Sequence, residues 1–216
     1  MSLLSILTGT INLFFPSQCV GCGIIGDFLC VQCMTIIPQS NNLSQSWITA
    51  LFDYQNPVIR NAIWRLKYKN ARGIAKYFGQ RIYKNTIVTI KKDHHHDKKF
   101  LIIPIPLHIK RFRERGYNQS ELLARALLIH DSDERMILSI NILFRIRETT
   151  PQAKGRKRAA RIENLQGAFF ADPAHVHGEH IILIDDVATT GATLSEARKI
   201  LLAAGACCVQ AVVVAH

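Results

Sequence analysis

With 216 residues, 48% of them apolar and 20% charged, the chain can bury a core, which excludes a disordered segment. Its 27 Lys and Arg outnumber 16 Asp and Glu, a formal charge of +11 that favours polyanionic partners: nucleic acid, phosphorylated metabolites or an anionic membrane face. The opening MSLLSILTGTINLFFP lacks a charged leader and stops at Pro16, too short to span a bilayer; it reads as a short amphipathic helix, and the cytosol is the expected location.

Cys19-x-x-Cys22 and Cys30-x-x-Cys33 follow, two knuckle-like pairs separated by seven residues, with Gly21 and Gly23 allowing tight turns beside Cys22. Four thiolates at this spacing suit a tetrahedral structural Zn²⁺, and a module this small lacks an apolar core of its own. Disulfides and CxxC redox chemistry are the competing readings, but no secretory signal accompanies the cysteines and one pair would suffice for redox work. The polar stretch PQSNNLSQS, 38–46, marks a boundary, dividing the chain into 1–46 and 47–216.

Beyond it, Val58, Ile59, Ile63 and Leu66 recur at helical spacing within a mixed apolar and basic region. Trp64 and Tyr68 in that stretch have two readings, stacking on bases or, as is commoner for a helical aromatic stripe, core. KKDHHHDKK, 91–99, reads as a charged loop: three consecutive histidines, His94 to His96, converge poorly on a metal and flanking lysines repel one. FLIIPIP, 100–106, is a buried parallel strand, and SELLARALLIH, 120–130, a helix with Ser120 as N-cap. His175, His177 and His180 are expected on the surface. Ile181–Ile184 forms a second strand, Leu194–Ala204 a helix closed by Gly205, and Val209–Ala215 a third strand, with Cys207 and Cys208 expected in the core. Strand, helix and strand in this order imply an α/β fold with a parallel sheet flanked by helices.

The most informative segment is IILIDDVATTGAT, Ile181 to Thr193. Four apolar residues lead to Asp185 and Asp186 at the carboxyl end of a strand, where open α/β sheets bind ligands. The turn Ala188, Thr189, Thr190, Gly191, Ala192 and Thr193 then enters a helix, whose backbone N–H groups and positive end suit a phosphate. The carboxylates would repel that phosphate; as acceptors they suit ribose hydroxyls. A Walker A loop is excluded, since its spacing and lysine are missing.

Two basic stretches flank this segment. PIPLHIKRFRERGYNQ, 104–119, provides backbone donors and cations for a second anion, with Leu107, His108, Arg111, Arg115, Asn118 and Gln119 as the candidate diphosphate residues. RIRETTPQAKGRKRAARIENLQGAF, 145–169, reads as a basic loop over the site or a nucleic-acid contact, with Arg147, Thr149, Gln152, Arg156, Arg158, Arg161 and Asn164 as its candidate residues. No residue is assigned a catalytic role.

IILIDDVATTGAT resembles the phosphoribosyl diphosphate (PRPP) motif of type I phosphoribosyltransferases: four hydrophobics, two acids and the TTGAT loop. Together with the four-cysteine ribbon, IRNAIWRLKYK, RERGYNQ, RETTPQ and RIENLQGAF, it is similar to the ComF/GntX family over nearly the whole chain. The resemblance implies a zinc ribbon on a type I phosphoribosyltransferase-like domain, PRPP bound with Mg²⁺, and a role in natural transformation involving single-stranded DNA and partners in the DNA-uptake machinery. It departs from the family pattern at Gly155, where leucine is usual, and by one added residue before Asn164. Two functions follow. One is a DNA-uptake accessory that binds a phosphoribosyl ligand; the other is an active phosphoribosyltransferase with an unidentified acceptor.

Overall fold

The computed structural model describes residues 17–40, 45–92, 98–147 and 165–216. The expected N-terminal helix, His94 to His96, and Thr149, Gln152, Gly155, Arg156, Arg158, Arg161 and Asn164 of the basic loop lie outside them.

Five strands form one parallel sheet: β1 (Ile48–Phe52), β2 (Phe100–Pro104), β3 (Met136–Leu138), β6 (His180–Val187) and β7 (Cys208–Ala215), in the order β1-β7-β6-β2-β3. Between β3 and β6 the chain forms an antiparallel pair, β4 (Leu143–Arg145) and β5 (Phe169–Ala171). The helices are α1 (Val31–Ile36), α2 (Pro57–Tyr68), α3 (Ile74–Lys92), α4 (Ile109–Arg115), α5 (Gln119–Leu128) and α6 (Ala192–Ala203). This is the expected helix-flanked parallel sheet, with β6 at its centre.

Successive side chains of a strand point to opposite faces, and β6 divides the core accordingly. Ile182 and Ile184 join Ile59, Ile63, Leu66, Phe78 and Leu123 on the face covered by α2, α3 and α5. Ile181 and Leu183 join Leu143, Phe169, Leu194 and Leu201 on the face covered by α6 and the β4–β5 pair. The cysteine module is not an independent globule: Cys19, Leu29, Cys33, Met34 and Ile37 belong to the same apolar cluster as Ile59, Leu66 and Phe78.

Several local expectations are corrected. The N-cap of α5 lies two residues earlier, because Asn118 rather than Ser120 caps it, accepting the Ser120 N–H at 3.0 Å. Helix α3 runs through Lys92, so Lys91 and Lys92, expected in the charged loop, are helical. His180 is buried, not exposed: it opens β6 between paired neighbours, its ring 5.5 Å from that of Phe100 and its Nδ1 3.1 Å from Cys208 Sγ. Cys207 is exposed, since it lies in the turn before β7. Trp64 and Tyr68 are surface residues, 46% and 61% exposed, rather than core.

Candidate functional site

The alternation that splits the core also splits the acidic pair, so Asp185 and Asp186 project to opposite sides at the end of β6. Asp186 faces α2, is 3% exposed, and holds Lys67 Nζ at 2.8 Å from its Oδ1. Its other oxygen, Oδ2, is buried with no hydrogen-bond partner among the described residues, an exception to the usual satisfaction of buried polar atoms. Burial draws the Lys67 ammonium down, Asp186 draws it up, and the balance lies above the ordinary lysine value.

Asp185 accepts from Ser120 Oγ at 2.8 Å and from the Asp186 N–H at 2.8 Å, both on Oδ1. Burial, then the Asp186 charge, pushes its carboxyl up to about 7, against the opposing pull of Lys67 and Ser120. A second cation besides Lys67 is within electrostatic reach. Arg145 on β4 lies over the Phe169 ring at 5.6 Å, and burial and the Arg111 guanidinium hold it below the usual arginine value while Asp185 pulls the other way. The structure thus brings Arg145 within reach of Asp185, with Arg111 close enough to repel Arg145.

The turn after β6 enters α6 through a left-handed glycine. Gly191 caps α6 in the left-handed region, φ 71° and ψ 0°, and itself offers no side-chain cap. An added Cβ at Gly191 would lie 3.4 Å from Gln45 Nε2 and 3.5 Å from Ile48 Cδ1, ordinary contacts, so it is the left-handed torsion that calls for glycine. Thr190 Oγ1 accepts weakly from the Ala192 N–H at 3.4 Å, Thr189 is exposed, and Thr193 is half-buried. Ala188 is fixed by donating its N–H to Ala215 O on β7.

The RERGYNQS stretch buttresses this site. Arg115 Nη1 donates to Gln119 Oε1 at 2.8 Å and lies over the Tyr68 ring at 5.1 Å. Tyr117 donates its hydroxyl to the Leu66 carbonyl and supports the Arg72 guanidinium 4.5 Å from its ring centroid. Asn118 Nδ2 donates to Ile105 O at 3.0 Å, locking the turn after β2. Asn118 and Gln119, expected among diphosphate residues, are buried and engaged in these contacts, whereas Leu107, His108 and Arg111 are partly exposed. His108 Nδ1 accepts from Lys110 N–H at 3.4 Å at the start of α4. Arg147 is exposed and donates to Gln166 O at 3.3 Å.

Lys67 and Ser120 are site residues that pattern reading missed. Lys67 follows the buried Ile63 by one helical turn, which places it at the edge of the apolar face of α2, but that position alone does not name its acidic partner. Ser120 was noticed only as a cap.

The four cysteines do converge: their sulfurs all lie within 4.8 Å of one another, with Cys22 Sγ 3.7 Å from Cys30 Sγ. Ligands about 2.3 Å from a tetrahedral Zn²⁺ stand at about that separation. Backbone N–H groups of Gly21 and Cys30 donate to Cys19 Sγ at 3.4 and 3.3 Å, and that of Cys33 to Cys30 Sγ at 3.4 Å. Gly21 has no room for a side chain, since a Cβ there would lie 2.7 Å from Cys33 Sγ. This donor set can hold a metal ion and fits a zinc ribbon.

A parallel sheet carrying two acids at the end of its central strand, followed by a Thr-Gly turn into a helix, defines a phosphoribosyltransferase-type domain, and residues 135–216 match the family model described as phosphoribosyl transferase domain. The chain is 31% identical to Competence protein ComFC of Bacillus subtilis over 150 residues, covering 69% of this chain and 56% of that one. It is 33% identical to Competence protein F of Haemophilus influenzae over 142 residues (64% and 59%), and 37% identical to the DNA utilization protein YhgH of Escherichia coli over 118 residues (50% and 46%). The chain belongs to the ComF family. The matches span about half the length of these relatives.

Proposed function

We propose that this chain is a DNA-uptake accessory protein that binds PRPP or a related 5'-phosphoribosyl ligand and single-stranded DNA in the cytosol. The observation that carries the ligand half is the end of β6: a buried Asp186 oxygen has no hydrogen-bond partner among the described residues, and the turn that follows enters α6 through Gly191 in the left-handed conformation. In this reading Asp185 and Asp186 take the ribose hydroxyls, and Ala188, Thr189, Thr190, Gly191, Ala192 and Thr193 take the 5'-phosphate. Arg111 and Arg145 face the diphosphate, whose Mg²⁺ would share the carboxylate oxygens. Cys19, Cys22, Cys30 and Cys33 hold a structural Zn²⁺, and a reducing compartment keeps those thiols as ligands.

The DNA half rests on the +11 charge and on relatives whose names state competence and DNA utilization. Arg145, within reach of Asp185 and with Arg111 beside it, also favours a second reading, transfer of the phosphoribosyl group, because a departing diphosphate gains from such cations. Replacing the chromosomal gene with the Asp185→Asn/Asp186→Asn variant in a competent host tests the proposal. Transformation should fall by about tenfold or more with protein abundance unchanged; unaltered transformation would reduce the chain to a structural adaptor. Sustained diphosphate release from PRPP with one acceptor, in a panel of bases and amines, would establish the transferase reading instead.

A further inference from the structure

Helix α2 presents an aromatic step on its outer face that neither the core nor the acidic site uses. Trp64 and Tyr68 lie one turn apart, 46% and 61% exposed, with ring centroids 6.2 Å apart and planes at 48°. Exposed large aromatics of this kind stand out, because burial is their usual fate and Ile59, Ile63 and Leu66 on the same helix obey it. Each ring is accompanied by a cation: Lys69 Nζ is 5.3 Å from the Trp64 centroid and the Arg115 guanidinium 5.1 Å from that of Tyr68. The next residue inward, Lys67, reaches Asp186. The step therefore begins at the rim of the candidate ligand site and runs away from it along α2.

We propose that Trp64 and Tyr68 form a stacking platform for the bases of single-stranded nucleic acid, with Lys69 and Arg115 taking the neighbouring phosphates. Aromatic faces interleaved with cations fit this partner: bases stack without sequence preference while phosphates supply the counter-charge. A second copy of this chain, itself at +11, fits the cations poorly. The proposal rests on the single-strand half of the function above, and places its base contacts on α2 rather than on the basic stretches at 104–119 and 145–169.

The test measures affinity of the zinc-loaded full chain for a labelled thymidine oligonucleotide of about 15 nucleotides, an abasic strand of equal length, and a duplex. Trp64→Ala/Tyr68→Ala should weaken thymidine binding by about tenfold or more, leave the salt dependence unchanged, and leave abasic binding as in wild type. Trp64→Phe/Tyr68→Phe should retain most of the affinity. In a Trp47→Phe background Trp64 is the sole tryptophan, and its emission should quench as the thymidine strand binds. An alanine variant that binds the thymidine strand as tightly as wild type overturns the platform while leaving the single-strand reading standing. So does one that loses only self-association, which would assign the face to a second copy. A wild type that binds no strand overturns both.

Discussion

Lys67 Nζ lies 2.8 Å from Asp186 Oδ1, and the pair joins α2 to the carboxyl end of the central strand beneath the candidate ribose site. The lysine side chain is 21% exposed and the aspartate 4%, so removing the cation strands a buried charge. Lys67→Met should therefore cost roughly 2–4 kcal/mol at neutral pH in urea denaturation. Lys67→Met with Asp186→Leu should recover most of that loss. Equal losses for single and double variants would show that the pair is not the source of the stability.

Asp185 makes folding pH-dependent. Its carboxyl lies at about 7 in the folded chain against an ordinary 3.8, so between these values the folded state holds a proton that the unfolded state has released. Its contribution is full below the ordinary value and is lost as pH rises through about 7. Asp185→Asn is neutral throughout and keeps an acceptor for Ser120. Its Tm relative to wild type should therefore rise by several degrees from about pH 5 to about pH 8. A constant difference would contradict the assignment.

Gly191→Ala tests the phosphate turn. The left-handed torsion costs a non-glycine residue about 1–2 kcal/mol, and the new methyl meets Gln45. The variant should stay folded and lose PRPP affinity by about tenfold or more, measured calorimetrically. Wild-type affinity would place the phosphate elsewhere.

The cysteine cluster couples to the whole domain, because Cys19, Leu29 and Met34 share a core with α2 and α3. Purified protein should carry about one zinc per chain, and chelation should lower the Tm of the main unfolding transition rather than melt the ribbon alone. Gly21→Ala, whose Cβ would crowd Cys33 Sγ, should release zinc at lower chelator concentrations. A Tm unmoved by chelation would contradict this coupling.

What the chain made legible follows physical lines. The end of β6 was readable because its chemistry is local: consecutive apolar residues, two acids and a left-handed glycine lie within one segment. The cysteine cluster was readable because thiolate spacing is itself the signal. Lys67 and Ser120 were not, because each reaches the acids across the sequence, 119 residues in one case and 65 in the other, and no local period encodes such pairings. Strand β3 was overlooked for its three residues, and β1, Ile48–Phe52, because its partner β7 lies at the other end of the chain, with Ile48 opposite Ala211. Asn118 and Gln119 read as ligand donors, yet fold inward because Ile105 O and Arg115 offer them partners.

Isothermal titration of PRPP with Mg²⁺ into wild type and into Asp185→Asn/Asp186→Asn tests the central claim most directly. The account predicts a saturable wild-type isotherm near one ligand per chain, and an affinity at least about tenfold weaker in the variant. Ribose 5-phosphate should compete with PRPP for the wild-type site. Binding of PRPP that is equally tight in both proteins, or absent from a folded wild type, would contradict a phosphoribosyl site at Asp185, Asp186 and the turn that follows.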